Sequence, residues 1–266
     1  ALRFPSTSFS CLIDNLGTAT QIADAFEQNA TSFPVFIDLN VGMNRTGIAP
    51  AQALTLFDHC RTLKGISITG LHAYDGHIRD IDFTIRKNKC DEAFAPVVAL
   101  QADIKKNFNA TLRIVVGGTP TYSIHCKREQ VECSPGTFIY WDKGYQDTLP
   151  EQQFTLAALV VTRIISKPSP DSICVDLGHK AVAAENPLAN RVTFLNAPGL
   201  KPVGQSEEHL VLAIEDDKNY GVGDVLYGAP FHICPTVALH DQAPVIENGR
   251  ITSYWKTTSR TRKVTI

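Results

Sequence analysis

A histidine and a cysteine two residues apart, in Phe231-His232-Ile233-Cys234-Pro235, offer an imidazole and a soft sulfur. On a strand, residues i and i+2 share a face, so His232 and Cys234 could converge on one ion, and this donor pair favours Zn²⁺ with positions left for water or substrate. His240 and Asp241 are candidate supports for those ligands. A buried cysteine beside an ordinary histidine fits the same letters. Tyr74-Asp75-Gly76-His77 sets a phenol, a carboxylate and an imidazole around a glycine, where they could act as acid, base or ligand, although a loop histidine is commonly a surface group. Gly117-Gly118-Thr119-Pro120-Thr121-Tyr122 and Ser134-Pro135-Gly136-Thr137 combine small residues with hydroxyls. Exposed backbone amides and hydroxyls at strand ends are the usual equipment for phosphate, and two successive turns of this kind resemble a barrel's phosphate grip. Arg45 is the charged group of a turn, NVGMNRTG, that follows the run VFIDL. Lys180 reads as a solvated turn residue, and Glu207, Glu208 and His209 as either a buried polar cluster or a solvated turn.

The elements needed to hold these groups follow from periodicity. Phe9–Asp14, Val35–Leu39, Ile66–Tyr74, Leu112–Gly118 and Thr137–Asp142 are strand-like in length and rich in β-branched or aromatic residues. Between them, Thr18–Gln28 and Pro50–Leu63 read as helices, and Asp80–Asn107 is long enough for two. Strict alternation predicts parallel strands with covering helices, with the chemistry at the strands' C-terminal ends. From Phe154 onward the chain reads as strands and turns, an antiparallel β-domain. The predicted domains are 1–150, a partial β/α barrel, and 151–266, a β-domain carrying the metal ligands. Five strand–helix units cannot close an eight-stranded barrel, so the chain is expected to begin after its barrel does.

Composition narrows the function classes. A chain of 266 residues with net charge −2 and no basic stripe argues against nucleic acid as the main partner, and the short basic tail SRTRKVTI reads as a solvated last strand. No run approaches the ~20 apolar residues of a membrane span, and the opening segment ALRFPSTSFS lacks the parts of a signal peptide. Seven scattered cysteines without a CxxC pair suit reduced thiols, and the expected location is cytoplasmic.

VGMNRTG, YDGH, GGTPTY, SPGTFIY, the VDLG turn, SEEH and HICPTVALHD occur in that order between Leu39 and Asp241. Together they resemble the pyridoxal-phosphate enzymes of the alanine racemase-like barrel class, and more nearly its metal-activated branch of D-threonine aldolases and D-serine dehydratases. The resemblance implies a (β/α)8 TIM-like barrel with pyridoxal 5′-phosphate at its mouth, then an antiparallel β-domain, and a homodimer. It implies a lyase acting on D-3-hydroxy amino acids with a divalent metal, Zn or Mn. A racemase of the same class and a non-catalytic pyridoxal-phosphate binder are the alternatives. Arg45 looks like the arginine near the cofactor's phenolate oxygen. Gly118, Thr119, Gly136 and Thr137 look like its phosphate contacts. Tyr74 and His77 are the candidates nearest the reacting carbon, Tyr74 also touching the cofactor. Ser134 stands where the racemases place an arginine against the pyridine nitrogen, a departure that argues against simple racemisation. In the metal-activated branch His232 and Cys234 would hold the ion. Histidine with cysteine is the pairing associated with the dehydratases, whereas CPTVALHD otherwise looks like the aldolases. The family's Schiff-base lysine lies on the first barrel strand, expected to precede Ala1, and no lysine here replaces it.

Overall fold

A computed structural model describes residues 3–216 and 218–263, in two compact units, Ala1–Gly136 and Thr137–Ile266. The first alternates strand and helix: β1 (Cys11–Ile13), α1 (Leu16–Glu27), β2 (Phe33–Leu39), α2 (Pro50–Cys60), β3 (Ile66–Ala73), α3 (Phe83–Phe108), β4 (Arg113–Val116), α4 (Tyr122–His125) and β5 (Val131–Cys133). The strands form one parallel sheet in sequence order. Val35, Ile37, Leu39, Leu71, Ala73, Ile114 and Val116 lie on one face and pack with Ala19, Ala23, Ala53, Leu56, Phe57, Val97, Leu100 and Ile104 of the helices. Each fully buried aliphatic chain contributes roughly 1.5–3 kcal/mol, and a one-residue slip would turn a whole strand's set outward, so burial fixes the register. The alternate positions, including Phe36, Asp38 and His72, therefore point to the opposite face.

Local chemistry ends the helices where the core needs them to end. Asn15 and Asp82 accept bonds from Thr18 N (2.8 Å) and Ile85 N (2.9 Å), capping α1 and α3. Pro50 occupies the first turn of α2, where its missing N–H costs nothing. The segment expected to hold two helices is one helix of 26 residues with Pro96 inside. Proline breaks one helical bond, but the buried stripe Cys90, Phe94, Val97, Leu100 and Ile104 continues at helical spacing across it, and that packing outweighs the loss.

In the second unit, a 3₁₀ turn at Thr137–Ile139 and α5 (Lys143–Thr148) precede the strands β6 (Val160–Ser169), β7 (Ser172–Val175), β8 (Val192–Phe194), β9 (Leu200–Gln205), β10 (Leu210–Ile214) and β11 (Val225–Pro230). Helix α6 (Ile233–Leu239) and the hairpin β12 (Gln242–Glu247) and β13 (Arg250–Lys256) follow. The six strands form an antiparallel sheet in the order β8-β11-β6-β7-β10-β9. Its core includes Ile164, Ile173, Val175, Phe194, Leu210, Leu212 and Leu226.

The expected strand at Thr137–Asp142 is instead the 3₁₀ turn. Its amides bond locally, Tyr140 N and Trp141 N both donating to Thr137 O at 3.2 and 2.7 Å, and Trp141 takes a left-handed φ of 56°. The division between units falls at Gly136/Thr137 rather than near 150, because Ile233 N donates to Asp142 Oδ2 (3.1 Å) and Gly144 N to Phe231 O (3.0 Å). The basic tail begins in a further 3₁₀ turn, Thr258–Thr261, not a strand, while Val264–Ile266, like Ala1 and Leu2, lie outside the described residues. All seven cysteines are free. No helix among the described residues is long and apolar enough to cross a membrane.

Candidate functional site

At the C-terminal end of β2 the chain closes a tight loop. Asn40 N donates to Ile48 O and Ile48 N to Asp38 O, each at 2.9 Å, and Asn40 Oδ1 accepts from the amides of Gly42 and Asn44 at 3.1 Å. This loop presents Arg45, whose guanidinium lies 4.7 Å from the centre of the Tyr74 ring at the end of β3. Two glycines make room for that ring. A Cβ on Gly118 would lie 2.8 Å from a Tyr74 ring carbon, and one on Gly76 would lie 2.2 Å from its hydroxyl. Gly42, at φ 119°, does the same for His77, since a Cβ there would lie 2.6 Å from His77 Nε2. Arg45, Tyr74, His77 and Gly118 are thus gathered into one rim in the first unit.

Below the rim, on the face away from the helices, His72 Nδ1 and Asp38 Oδ1 are 2.7 Å apart. Burial alone would raise the Asp38 pKa. Bonds from His72 and Thr46 and the charges of His72 and Arg45 outweigh it and hold the carboxyl below its ordinary value. Sequence reasoning missed this pair. The signal was there in the strand period, because Asp38 and His72 are register partners whose faces oppose the helices.

The glycine pair of GGTPTY is not a set of free amides. Gly117 N donates to Ala73 O (2.9 Å), extending the sheet, and Gly118 N donates to Thr121 Oγ1 (3.3 Å). Thr121 is fully buried, so its hydroxyl is not a ligand donor as the sequence suggested. Thr119 is also buried. Ser134 is exposed, and its hydroxyl donates to Gly117 O at 2.9 Å, tying the two small-residue turns together. Gly136 is exposed, with no atom within 4 Å of where its Cβ would be.

Thr137, His232 and Cys234 belong to the second unit. His232 and Cys234 do not lie along a strand. His232 is the extended residue before α6 (φ −131°, ψ 105°) and Cys234 lies in its first turn. The helix starts there because Asp142 accepts from Ile233 N, and Thr236 Oγ1 donates back to His232 O at 2.8 Å. Imidazole and thiol still meet. Their mutual hydrogen bond, against the opposing effect of burial and aided by Glu185, pushes His232 up to about 9, and the same bond, aided by Thr137, lowers Cys234. Thr137 Oγ1 lies 3.7 Å from Cys234 Sγ. His232 Nδ1 is 2.5 Å from Glu185 Oε1. A carboxylate on one ring nitrogen is the arrangement that orients metal-binding histidines to use the other. Soft N/S donors fit Zn²⁺, and the residues present therefore suit a metal. The supports expected from sequence lie elsewhere, since His240 Nε2 meets Ala181 O at 2.9 Å and Asp241 pairs with Arg260. Glu185 replaces them. Lys180 is an exposed partner of Glu207 (2.7 Å) and Glu208 (2.9 Å).

Residues 3–143 match the family model described as "Alanine racemase, N-terminal domain", more than half the chain. This chain belongs to the alanine racemase N-terminal domain family. Beyond that family's domain, residues 157–246 match the model "Putative serine dehydratase domain". The chain is 25% identical over 257 residues to a D-threonine aldolase of Arthrobacter sp, covering 94% of this chain and 67% of the relative. Its fold matches the crystal structure of D-threonine aldolase from Filomicrobium marinum with TM-score 0.85 at 23% identity, covering 94% and 69% of the two chains. It also matches D-threo-3-hydroxyaspartate dehydratase from Delftia sp. HT23, with TM-score 0.74 at 20% identity, covering 96% and 73%. The parallel sheet followed by an antiparallel β-unit is therefore the alanine racemase-like fold of these proteins.

Proposed function

We propose that the protein is a lyase acting on D-3-hydroxy amino acids with pyridoxal 5′-phosphate and a divalent metal, Zn or Mn, and that it works as a homodimer. The observation that carries this reading is the pairing of His232 with Cys234, its imidazole oriented by Glu185, in a chain of the alanine racemase family. Pyridoxal phosphate supplies an electron sink for the bond broken at Cα, and the metal supplies a Lewis acid at the substrate's β-oxygen. The relatives named for D-threonine aldolase and D-threo-3-hydroxyaspartate dehydratase support the substrate class.

The rim residues have separable roles. Arg45, its cation steadied over the Tyr74 ring, binds the anionic edge of the cofactor. Gly118, Thr119 and Gly136 give its phosphate a close approach. With both amides of the glycine pair committed within the chain, that grip rests on shape. Ser134 offers the cofactor ring no cation, which weakens the ring as an electron sink and makes help for the leaving oxygen chemically useful. Tyr74 and His77 hold or move a proton at Cα or at the β-oxygen. His232 Nε2 and Cys234 Sγ hold the metal.

Product analysis on D-threonine tests this reading. Glycine with acetaldehyde means aldol cleavage and 2-oxobutanoate with ammonia means dehydration. Either product should disappear on chelation and return with Zn²⁺ or Mn²⁺. Epimerisation alone, unaffected by thorough metal removal, would replace the lyase with a racemase.

A further inference from the structure

Behind the rim, inside the first unit, lies a cluster the sequence did not announce. Asp75, Cys90 and His125 are all buried to 2% exposure or less, and their donor atoms lie within 4.8 Å of one another. His125 Nε2 is 2.9 Å from Asp75 Oδ2 and 3.2 Å from Cys90 Sγ. In outline this is either a metal centre or a Cys–His–Asp triad. The bonding argues against both. Arg128 Nε, which can only donate, is 3.2 Å from His125 Nδ1, so Nδ1 accepts and the ring proton sits on Nε2. A protonated Nε2 donates to Asp75 and has no lone pair for a metal. Cys90 has no access to solvent, and burial with the nearby Asp75 charge pushes its thiol up to about 12, so it is not a nucleophile.

What remains is a carboxylate that ties two loops together. Asp75 Oδ2 takes the His125 bond, and Oδ1 accepts from Thr121 Oγ1 at 2.7 Å. The Thr121 hydroxyl has one proton. Spent on Asp75, it leaves the oxygen's lone pairs for Gly118 N at 3.3 Å rather than its proton for Gly118 O at 3.4 Å. Asp75 itself sits between Tyr74 and Gly76-His77, in a turn closed by Ile78 N donating to Asp75 O at 2.9 Å. Arg128, on the far side of His125, is held in turn by Asp91.

We propose that Asp75 is a positioning residue for the cofactor site. It is the buried node that joins the Tyr74–His77 turn to the Gly117–Thr121 loop and fixes the spacing that lets Gly118 sit against the Tyr74 ring. It touches no ligand and acts through Thr121 and His125. The inference rests on the reading that this rim binds pyridoxal phosphate. An amide in its place presents one acceptor and one donor where Thr121 and His125 both donate, so to keep both partners the Thr121 hydroxyl would have to turn, accepting from the amide and sending its proton to Gly118 O at 3.4 Å.

The test is calorimetric binding of pyridoxal 5′-phosphate to the whole chain, with melting temperature followed alongside. Asp75→Asn should weaken binding 10-fold or more. Thr121→Val should do the same, whereas Thr121→Ser, which keeps the hydroxyl, should stay within threefold of wild type. The double variant Asp75→Asn/Thr121→Val should be no worse than Asp75→Asn alone, since both cut the Thr121 path. His125 imidazole nitrogen shifts should report an Nε2–H tautomer. Wild type that binds no pyridoxal phosphate would overturn the functional reading itself. Wild-type binding with undiminished affinity in folded Asp75→Asn and Thr121→Val would overturn only the role of Asp75. Zn²⁺ bound by a variant lacking His232 and Cys234, and lost with His125→Ala, would make the cluster a metal centre and overturn the assignment.

Discussion

Removing Glu185 tests how the metal pair is built. Its Oε1 lies 2.5 Å from His232 Nδ1 and sets the ring so that Nε2 is left for the ion. Loss of such an orienting carboxylate costs about 10- to 100-fold in metal affinity, roughly 1.4–2.7 kcal/mol. The two side chains are 44% and 46% exposed, so water screens their attraction and the lower part of that range applies. Glu185→Ala should therefore weaken Zn²⁺ binding about 10- to 30-fold, and Glu185→Gln, which keeps an acceptor but no charge, about threefold. Competition against a chromophoric chelator reads these changes directly. Glu208→Ala, which removes a partner of exposed Lys180, serves as the control and should change nothing. Zn²⁺ binding abolished by His232→Ala yet unchanged in Glu185→Ala would refute the reasoning, because the imidazole would then need no carboxylate to orient it.

Three further outcomes follow from the geometry. Gly42→Ala places a Cβ 2.6 Å from His77 Nε2 at a φ of 119°, so it should lower the melting temperature by the equivalent of about 1–3 kcal/mol and cut turnover by displacing His77, while leaving Zn²⁺ affinity intact. Asp38 is held below its ordinary carboxyl value, so it binds its proton less readily folded than unfolded. Its stabilising contribution is then complete above the unfolded pKa of about 4 and is lost as pH falls through the lower folded value. Urea titrations between about pH 5 and pH 3 should show wild type losing more stability than Asp38→Asn. Asp142→Ala strips the acceptor from both Tyr145 N (2.9 Å) and Ile233 N (3.1 Å), and should destabilise the chain by about 1–3 kcal/mol and loosen metal binding through the start of α6, seen as a joint fall in melting temperature and Zn²⁺ affinity.

Much of the scaffold was legible because local pattern and tertiary demand agree. The runs around Ile37, Leu71 and Ile114 are strands with their apolar residues on the helix side, and Pro50 starts α2 as its ring geometry requires. Where they disagree, distant partners decided. The length of Asp80–Asn107 suggested two helices, but the apolar stripe on both sides of Pro96 had one core to meet. His232 and Cys234 were found by residue type, but the strand that was to align them is the start of a helix, capped by Asp142 from 91 positions away. Separations of 47, 46 and 50 positions likewise hid Glu185 from His232, and Asp75 from Thr121 and His125.

The central claim is that His232 and Cys234 together hold a catalytic metal. X-ray absorption at the zinc edge of Zn²⁺-loaded protein tests it most directly. One metal per chain is expected, with a sulfur at about 2.3 Å and an imidazole nitrogen at about 2.0–2.1 Å, the sulfur shell vanishing in Cys234→Ala. A zinc environment of nitrogen and oxygen alone, identical in wild type and Cys234→Ala, would contradict it.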